Sequence, residues 1–413
     1  MSSTLPLAHR KGLPRNAPSS SASRSLRDTV SRIGASLCLP WLLCFLWLAQ
    51  RAAARTQDSP VKAQQSPSST TPVSAVQANA SSASAKDAAE PGEPLTPDPA
   101  LAPARLFLQQ GKLSEAEAAT RNFLLAHADS AEAHFLLGFI LFREIGEKWR
   151  EAGKAQEATL PYSDGSAIGS LAEFRDAKAR ESLAEFTVGA RYHAASAFDL
   201  KIVALDYLLL KHNMDADRWL TQSVQLNSRD AQAWYYLGRT KYSEGQFPQA
   251  IEAFERCLKL EPRNIQAEDN VGLSYEALGK RGEAVQAFEN AIAWQTESSA
   301  KDPEPFMELA HLYMEENHPE KALPYLSQSV AISPKLCKAH EALGKAYSLL
   351  HRLPEAQAEL EKAVALEPAT PSLHYLLGQV YRQEGMASKA QAEFDRYDAL
   401  QQAQSKPISR SKS

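Results

Sequence analysis

The sequence predicts an all-α fold, an α-solenoid of about eight paired-helix repeats, and three observations lead to this prediction. A register with a period of 34 residues runs through positions 97–404 of the 413-residue chain. Positions eight and twenty of that register hold a small residue in every unit. Proline recurs at position 32, where a helical pair is expected to end. Because one helical hairpin cannot bury both of its faces, such units are stable only when they stack on their neighbours.

The composition excludes several other classes of protein. The hydrophobic fraction of 44% and the charged fraction of 23% are those of an ordinary globular chain. The formal net charge of −4 argues against a protein that holds nucleic acid on a broad basic surface. Four cysteines are too few for a disulfide scaffold or a Cys-rich zinc cluster. Cys257 and Cys337 are nearly three units apart, so we do not expect a bond between them.

Residues 1–54 have the order of a secretory signal peptide, with a basic region, an uncharged apolar core at 33–49 and small residues ending at Ala54. We therefore expect cleavage near Ala54 and export to the periplasm or beyond. One alternative is an uncleaved segment 33–49 that anchors the body outside the cytoplasm. A transit peptide is less favoured because of the strong apolar core. A later translation start, at Val30, would give a more compact leader.

Two segments that flank the repeats are predicted to be disordered. Residues 55–96 are rich in Ser, Ala and Pro and contain no aromatic residue. Such a segment cannot bury enough apolar area to offset its conformational entropy, which indicates a flexible linker. The polar tail 405–413 is predicted to be disordered as well.

One unit, residues 231–264, carries the repeat signature in its most complete form. Its sequence is AQAWYYLGRTKYSEGQFPQAIEAFERCLKLEPRN, and the signature residues are Trp234, Leu237, Gly238, Ala250, Phe254 and Pro262. This pattern resembles the tetratricopeptide repeat (TPR), a 34-residue helix–turn–helix. The resemblance implies a right-handed α-solenoid whose units span 97–130, 131–196, 197–230, 231–264, 265–298, 303–336, 337–370 and 371–404.

The other units repeat parts of the signature, and the two outer units differ from the inner ones. The matching residues are Gly138, Gly272, Tyr275, Ala284, Phe288, Tyr313, Ala322, Pro334, Gly344, Tyr347, Ala356, Pro368, Gly378, Tyr381 and Ala390. Position 27 is small in the six inner units but is Phe123 and Tyr397 in the outer two. Terminal repeats lack one neighbour, so these bulky residues are typical of caps.

An insert near 146–177 interrupts the second unit between its two helices. We expect a prolonged first helix and a projecting loop, and the insert contains the turn-forming run Ser163–Ser166. A tolerated surface insertion explains this segment. A contact specific to one partner, or a lid, is the less favoured interpretation, and the sequence leaves it open.

The sequence contains none of the common catalytic motifs that we sought, including HExxH, GxSxG, the P-loop, GxGxxG and CxxC. We therefore predict a protein that is not an enzyme and needs no cofactor or metal. His134, His340 and His374 all occupy position four, where Trp234 stands in the fourth unit, so they are interpreted as packing residues. The carboxylates are interpreted as a solvated surface.

The resemblance implies a concave groove formed by positions two, five, nine and twelve of each first helix. The predicted partner-binding residues are Phe135, Phe139, Lys201, Tyr235, Arg239, Tyr242, Asp269, Glu276, Met307, His311, Lys338, Lys345, Tyr375, Gln379 and Arg382. Tyr and Arg are the residues that dominate binding hot spots. Several of these residues, above all the phenylalanines, can instead be packing between repeats.

The function predicted from the sequence is a scaffold that binds peptide or helical segments of other proteins, with membrane contact only through an uncleaved leader. The Lys and Asn residues by which chaperone adaptors of this family grip a terminal carboxylate are not assembled here. One alternative is an accessory or catalytic subunit of an envelope enzyme that uses the insert at 146–177. A less favoured one is an RNA-binding repeat, because acids such as Glu304 and Glu341 line the predicted groove. The oligomeric state is left open.

Overall fold

The computed structural model describes residues 95–158, 165–295 and 301–405. Within these residues the regular structure is helical, and consecutive helices form eight packed pairs, as predicted. A short 3-10 helix at Pro99–Leu101 comes before the first pair. The α-helices are α1 (Ala102–Gln109), α2 (Leu113–Ala126), α3 (Ala131–Ala158), α4 (Gly165–Gly189), α5 (Ala197–Leu209), α6 (Asn213–Leu226), α7 (Ala231–Ser243), α8 (Phe247–Leu260), α9 (Ile265–Ala277), α10 (Arg281–Trp294), α11 (Glu304–Glu315), α12 (Pro319–Ile332), α13 (Cys337–Leu349), α14 (Leu353–Leu366), α15 (Pro371–Gln383) and α16 (Ala387–Ser405).

Each helix packs mainly on the helix before it and the helix after it. The apolar core is therefore a series of clusters along the stack, each shared by neighbouring units. The predicted leader at 1–54 and most of the predicted linker lie outside the described residues, as does most of the tail. Among the described helices, none combines the length and the apolar content needed to cross a membrane.

The turn inside a helical pair uses one left-handed residue at position 15. Seven units place a positive φ there, at Gly111, Lys211, Gly245, Gly279, Asn317, His351 and Gly385. Glycine adopts this conformation without the steric cost that a Cβ atom brings, and asparagine is the next most tolerant residue. The second unit is the exception because its insert replaces this turn.

Position eight is small because the side chain at position 24 covers it. A Cβ atom built on Gly238 would lie 2.6 Å from the ring of Phe254, and one built on Gly272 would lie 2.6 Å from the ring of Phe288. The residues at positions eight and 24 also vary together within this chain. Every unit with Phe at position 24 has Gly at position eight, whereas the units with Ala at position eight have Thr or Leu at position 24.

The insert of the second unit is largely helical and lengthens both helices of the pair. Helix α3 has 28 residues and α4 has 25, so the chain runs out along α3 and returns along α4. The prolonged first helix matches the prediction. Where a projecting loop was expected, the residues from Gly165 onward are already part of α4. Trp149 packs against the core cluster that contains Ile145 and Ala179, which ties the base of the extension to the second unit.

A fully buried carboxyl group, Asp206, lies where the third unit meets the second. Its Oδ2 is 2.6 Å from the Ser182 hydroxyl, which is also 2.9 Å from the carbonyl oxygen of Gly138. The Ser182 hydroxyl has one proton to donate, and it has two acceptors within reach, the Asp206 carboxyl group and the Gly138 carbonyl oxygen. Burial raises the pKa of Asp206 well above its ordinary value, with the hydrogen bond from Ser182 acting in the opposite direction. The structure therefore favours the neutral acid.

We expect Asp206→Asn to be more stable than wild type at neutral pH. The raised pKa means that the native state retains the Asp206 proton at pH values where the unfolded chain has released it. The stabilisation of the acid form is complete below the ordinary pKa of aspartate and is lost as the pH rises towards the folded-state value. In urea denaturation from pH 4 to 8, the difference in unfolding free energy between Asp206→Asn and wild type should grow with pH. The control is Asp215→Asn, at an exposed site. An equal difference from wild type for both variants would contradict the assignment of Asp206 as a neutral acid.

Candidate functional site

The predicted groove residues fall into three classes of exposure. Three are buried: Phe135, Lys201 and Asp269. Eight are partly exposed: Phe139, Tyr235, Arg239, Tyr242, Glu276, Met307, His311 and Gln379. Four are exposed: Lys338, Lys345, Tyr375 and Arg382. The last two classes can contact a partner without rearrangement of the backbone, and they define the surface that we call the groove face.

Two of the buried residues have structural contacts that account for their burial. The ring of Phe135 lies against Gly189, where an added Cβ atom would approach it to 2.6 Å. The Lys201 ammonium donates to Asp230 at 2.7 Å and to Gln232 at 3.0 Å. The structure thus places these two side chains in the interior, where they join helices instead of facing a partner.

The amino-terminal end of the groove face is aromatic. Phe139 on α3 meets Phe198 on α5 edge to face, with 5.0 Å between the ring centroids. The Arg143 guanidinium lies 5.8 Å from the centroid of Phe139. Phe198 is 44% exposed, and the sequence analysis did not single it out although it stands at position two. Position two of the third unit was the signal that could have identified it.

The fourth unit continues the aromatic and basic surface on α7. The Arg239 guanidinium lies 5.8 Å from the ring centroid of Tyr235. Tyr242, one turn further, contacts Phe247 edge to face at 5.4 Å. Tyrosine and arginine are both enriched at the energetic centres of protein interfaces.

The fifth and sixth units bring an acidic cluster to the groove face. His311 Nδ1 lies 3.5 Å from Glu276 and its Nε2 lies 3.7 Å from Glu315. In the described part of the chain, these three residues form a group whose ligand atoms could hold a metal ion. The ring lies between the two carboxylates, however, and the Arg281 guanidinium also pairs with Glu315. The cluster therefore includes an Arg281–Glu315 ion pair across the junction of two units.

The carboxyl-terminal end carries bases and one aromatic cluster. Tyr375 lies 6.0 Å from Phe394 and 5.4 Å from Tyr397, measured between ring centroids. Tyr397 is the bulky residue at position 27 of the last unit, and its ring lies against Tyr375. Arg382 lies 5.6 Å from the ring centroid of Phe394. The cap therefore holds Tyr375 in place while leaving it 43% exposed.

The most strongly shifted groups of the described residues lie in the core. Burial raises the pKa of the Cys257 thiol and of the Cys337 thiol to about 12, and both cysteines are free. Such thiols stay protonated and are poor nucleophiles. Burial likewise raises the pKa of Tyr236, which lies within the stack. These shifts reflect packing between helices and supply no reactive group to the groove face.

Comparison with known families decides which family this surface belongs to. Family models described as tetratricopeptide repeat match residues 101–161, 231–264, 269–297, 303–336 and 341–405, which together make up more than half of the chain. This chain is a tetratricopeptide repeat protein. Proteins of this family generally mediate protein–protein interactions, and the resemblance seen in residues 231–264 is thereby confirmed.

Parts of this TPR protein are similar to parts of longer relatives. It is 38% identical over 71 residues to the peroxisomal targeting signal receptor of Yarrowia lipolytica, which is 17% of this chain and 12% of the relative. It is 28% identical over 131 residues to anaphase-promoting complex subunit 3 of Schizosaccharomyces pombe, which is 32% of this chain and 19% of the relative. The chain thus spans less than a fifth of either relative.

Three solved structures that are similar to this chain are MamA, YrrB and a TPR protein from Parabacteroides merdae. YrrB is described as a TPR protein with an unusual peptide-binding site. MamA is 21% identical with a TM-score of 0.37, and the alignment covers 41% of this chain and 98% of MamA. YrrB is 21% identical with a TM-score of 0.37, and the alignment covers 44% of this chain and 92% of YrrB. The Parabacteroides merdae protein is 16% identical with a TM-score of 0.47, and the alignment covers 67% of this chain and 95% of that protein. These likenesses concern the fold alone.

Proposed function

We propose that this TPR protein is a non-enzymatic scaffold that binds segments of other proteins along the groove face. The observation that carries the proposal is the row of partly exposed Tyr, Phe and Arg side chains on first helices that are otherwise buried by their neighbours. Phe139, Tyr235, Arg239 and Tyr375 are held by ring and cation contacts, so little entropy is lost when a partner covers them.

The charges along the groove face indicate what kind of segment fits. The acids Glu276 and Glu315 lie between an aromatic, Arg-bearing surface and a basic surface at Lys338 and Lys345. A complementary partner presents apolar side chains to α3–α7, cationic ones to α9–α11 and anionic ones beyond them. The mixed charge disfavours a nucleic-acid backbone, which requires a continuous basic wall.

We expect the double substitution Tyr235→Ala with Arg239→Glu to leave the fold intact and to weaken partner binding at least tenfold. Tyr235 supplies contact area and Arg239 supplies directed hydrogen bonds, and both are residue types that cost about 2 kcal/mol or more when lost from a hot spot. The measurement is an affinity pull-down from the native envelope fraction, followed by titration of the recovered partner.

The control for this experiment lies on the second helix of the same unit. Arg256 and Leu260 are exposed on α8, so Arg256→Glu with Leu260→Ala makes the same change of charge and removes a comparable apolar contact away from the groove face. Equal losses in both double variants would contradict the groove assignment. A loss confined to the Tyr235 and Arg239 variant supports it.

The proposal includes export, which rests on the leader sequence. The basic region, the apolar core 33–49 and the small residues ending at Ala54 support a cleaved signal peptide. Sequencing of the amino terminus of the protein recovered from its native membrane and soluble fractions tests this point. A terminus at Arg55 supports cleavage, whereas an intact leader in the membrane fraction supports the anchored alternative.

A further inference from the structure

The histidines at position four of three units contact equivalent groups, a glutamate carboxyl group of the same unit and a backbone carbonyl oxygen of the unit before. In the seventh unit, His340 Nδ1 lies 2.6 Å from Oε2 of Glu359 on α14, and its Nε2 lies 2.9 Å from the carbonyl oxygen of Pro334. Pro334 belongs to the sixth unit. The ring is 3% exposed, so it joins the two helices of its own unit to the end of the preceding one.

The same arrangement recurs in two more units, the eighth and the second. His374 lies 2.6 Å from Glu393 and 2.9 Å from the Pro368 carbonyl oxygen. His134 lies 2.6 Å from Glu185 and 3.0 Å from the Ala128 carbonyl oxygen. In the repeat register the partners are position 23 of the same unit and position 32 of the unit before. Glutamate stands at position 23 in these three units and in no other unit of the chain.

The fourth unit makes the contact to the preceding repeat without a titratable group. Trp234, also at position four, donates its indole N–H to the carbonyl oxygen of Ser228, which is position 32 of the third unit, at 3.0 Å. The indole N–H is a donor at every physiological pH. Position four is thus a junction between units that this chain makes once with tryptophan and three times with histidine and glutamate.

The proton count of the histidine junction differs from that of the tryptophan junction. A carboxylate and a carbonyl both accept, and a neutral imidazole has only one N–H to donate. Both hydrogen bonds therefore form only when the His–Glu pair holds one proton more than a neutral ring and a carboxylate. Burial acts to raise the pKa of Glu359, but hydrogen bonds from Lys362 and His340 outweigh it and hold that pKa below its ordinary value. In the seventh unit the carboxyl group therefore stays ionised, so a closed latch carries its second proton on the ring.

We propose that the His–Glu–carbonyl contacts of the second, seventh and eighth units are proton-dependent latches, closed when the ring is doubly protonated and half-open when it is not. The charged groups that face the three rings are Glu185 on α4, Glu359 with its partner Lys362 on α14, and Glu393 on α16. The preceding unit contributes a backbone carbonyl in each case. The inference concerns junctions between units and does not depend on what the groove face binds.

The direction of the pH effect follows from the proton count. The closed latch holds one proton more than the half-open one, so a rise in pH shifts each latch towards its half-open form. Two latches lie side by side in the seventh and eighth units, next to Lys345, Tyr375 and Arg382 of the groove face. That end of the solenoid should therefore be rigid in mildly acidic surroundings and looser in alkaline ones.

The test uses the full chain and compares wild type with Glu359→Gln/Glu393→Gln. A glutamine amide donates to Nδ1 of a neutral ring, whose Nε2–H still donates to the carbonyl, so this variant keeps both contacts without the extra proton. The measurement is amide hydrogen exchange in α13 and α15 from pH 5.5 to 8.5, corrected for intrinsic exchange rates. In wild type, protection should fall with pH, by up to about tenfold per pH unit for each latch. In Glu359→Gln/Glu393→Gln, protection should not change with pH.

Two further variants complete the test. His340→Trp/Glu359→Ala combined with His374→Trp/Glu393→Ala copies the junction of the fourth unit, where Ala253 stands at position 23, and should also abolish the pH dependence. Glu255→Gln/Glu289→Gln removes two exposed carboxylates from α8 and α10 and should retain the wild-type slope. Nitrogen-15 NMR of the histidine rings, at the pH of greatest protection, should show both ring nitrogens of His340 and His374 protonated in wild type. A neutral ring at that pH, or equal slopes in wild type and the Glu359 and Glu393 variant, would overturn the proposal.

Discussion

Gly238→Leu should destabilise the protein by about 3 kcal/mol, because the new side chain has no space beside Phe254. Even a Cβ atom at this position would lie 2.6 Å from the ring, and the ring is fully buried between two units. The clash therefore displaces either the ring or the whole of α8 from α7. Urea denaturation followed by circular dichroism measures the loss, and an unchanged midpoint would contradict the predicted register.

Two comparisons separate the clash from other effects of replacing a glycine. Gly282→Leu on α10 has open space around its Cβ atom and should cost little. Gly238→Ala should also destabilise, whereas Gly238→Ala with Phe254→Leu should recover part of the loss, because Ala204 and Leu220 make that pair in the third unit. Failure of the double variant to recover any stability would mean that space at this crossing is not the cause.

The fold could be predicted from the sequence because the same residue pattern recurs in each unit. A single hairpin such as the first unit is ambiguous, but small residues at two positions in eight units leave few other solutions. The pairing of position eight with position 24 was also present in the sequence, since Phe at 24 always accompanies Gly at eight. Gly238 and Phe254 were both among the predicted signature residues, but their contact was not predicted.

The groove face could be predicted only in part, because the register gives the direction of a side chain and not what covers it. Position five points towards the groove, yet Lys201 reaches the Asp230 carboxylate at the start of the next first helix and is buried there. A long side chain thus meets its partner across a unit boundary, where a 34-residue pattern holds no information. Asp206 escaped prediction for the same reason, since its partner Ser182 belongs to another unit.

The latches show that comparison of units within one chain can find polar contacts as well as packing. His134, His340 and His374 were interpreted as packing residues because their position matched that of Trp234. Their exclusive pairing with glutamate at position 23 was visible in the sequence and would have pointed to a hydrogen bond. Co-occurrence identifies the partner of a residue, whereas position alone identifies only its surroundings.

Asp230→Ala should destabilise the protein by about 3–5 kcal/mol, because it leaves the buried Lys201 ammonium without its carboxylate partner. Only 7% of the Lys201 side chain and 16% of the Asp230 side chain are exposed, so water replaces the lost partner poorly. The substitution also removes the cap of α7, since Asp230 Oδ1 accepts from the Ala233 N–H at 3.0 Å. Loss of such a cap costs about 1 kcal/mol. Chemical denaturation at two salt concentrations measures the effect, which should depend little on salt.

The cap and the ion pair can be separated because asparagine caps a helix as well as aspartate does. Asp230→Asn should retain the cap and lose only the charge, whereas Lys201→Met removes the buried charge and keeps the cap. The double variant Lys201→Met/Asp230→Asn should be more stable than Asp230→Asn alone, since no uncompensated charge remains inside. If the two single losses simply add, Lys201 and Asp230 are not energetically coupled. The ammonium would then be solvated, and Lys201 would return to the groove face as a residue available to a partner.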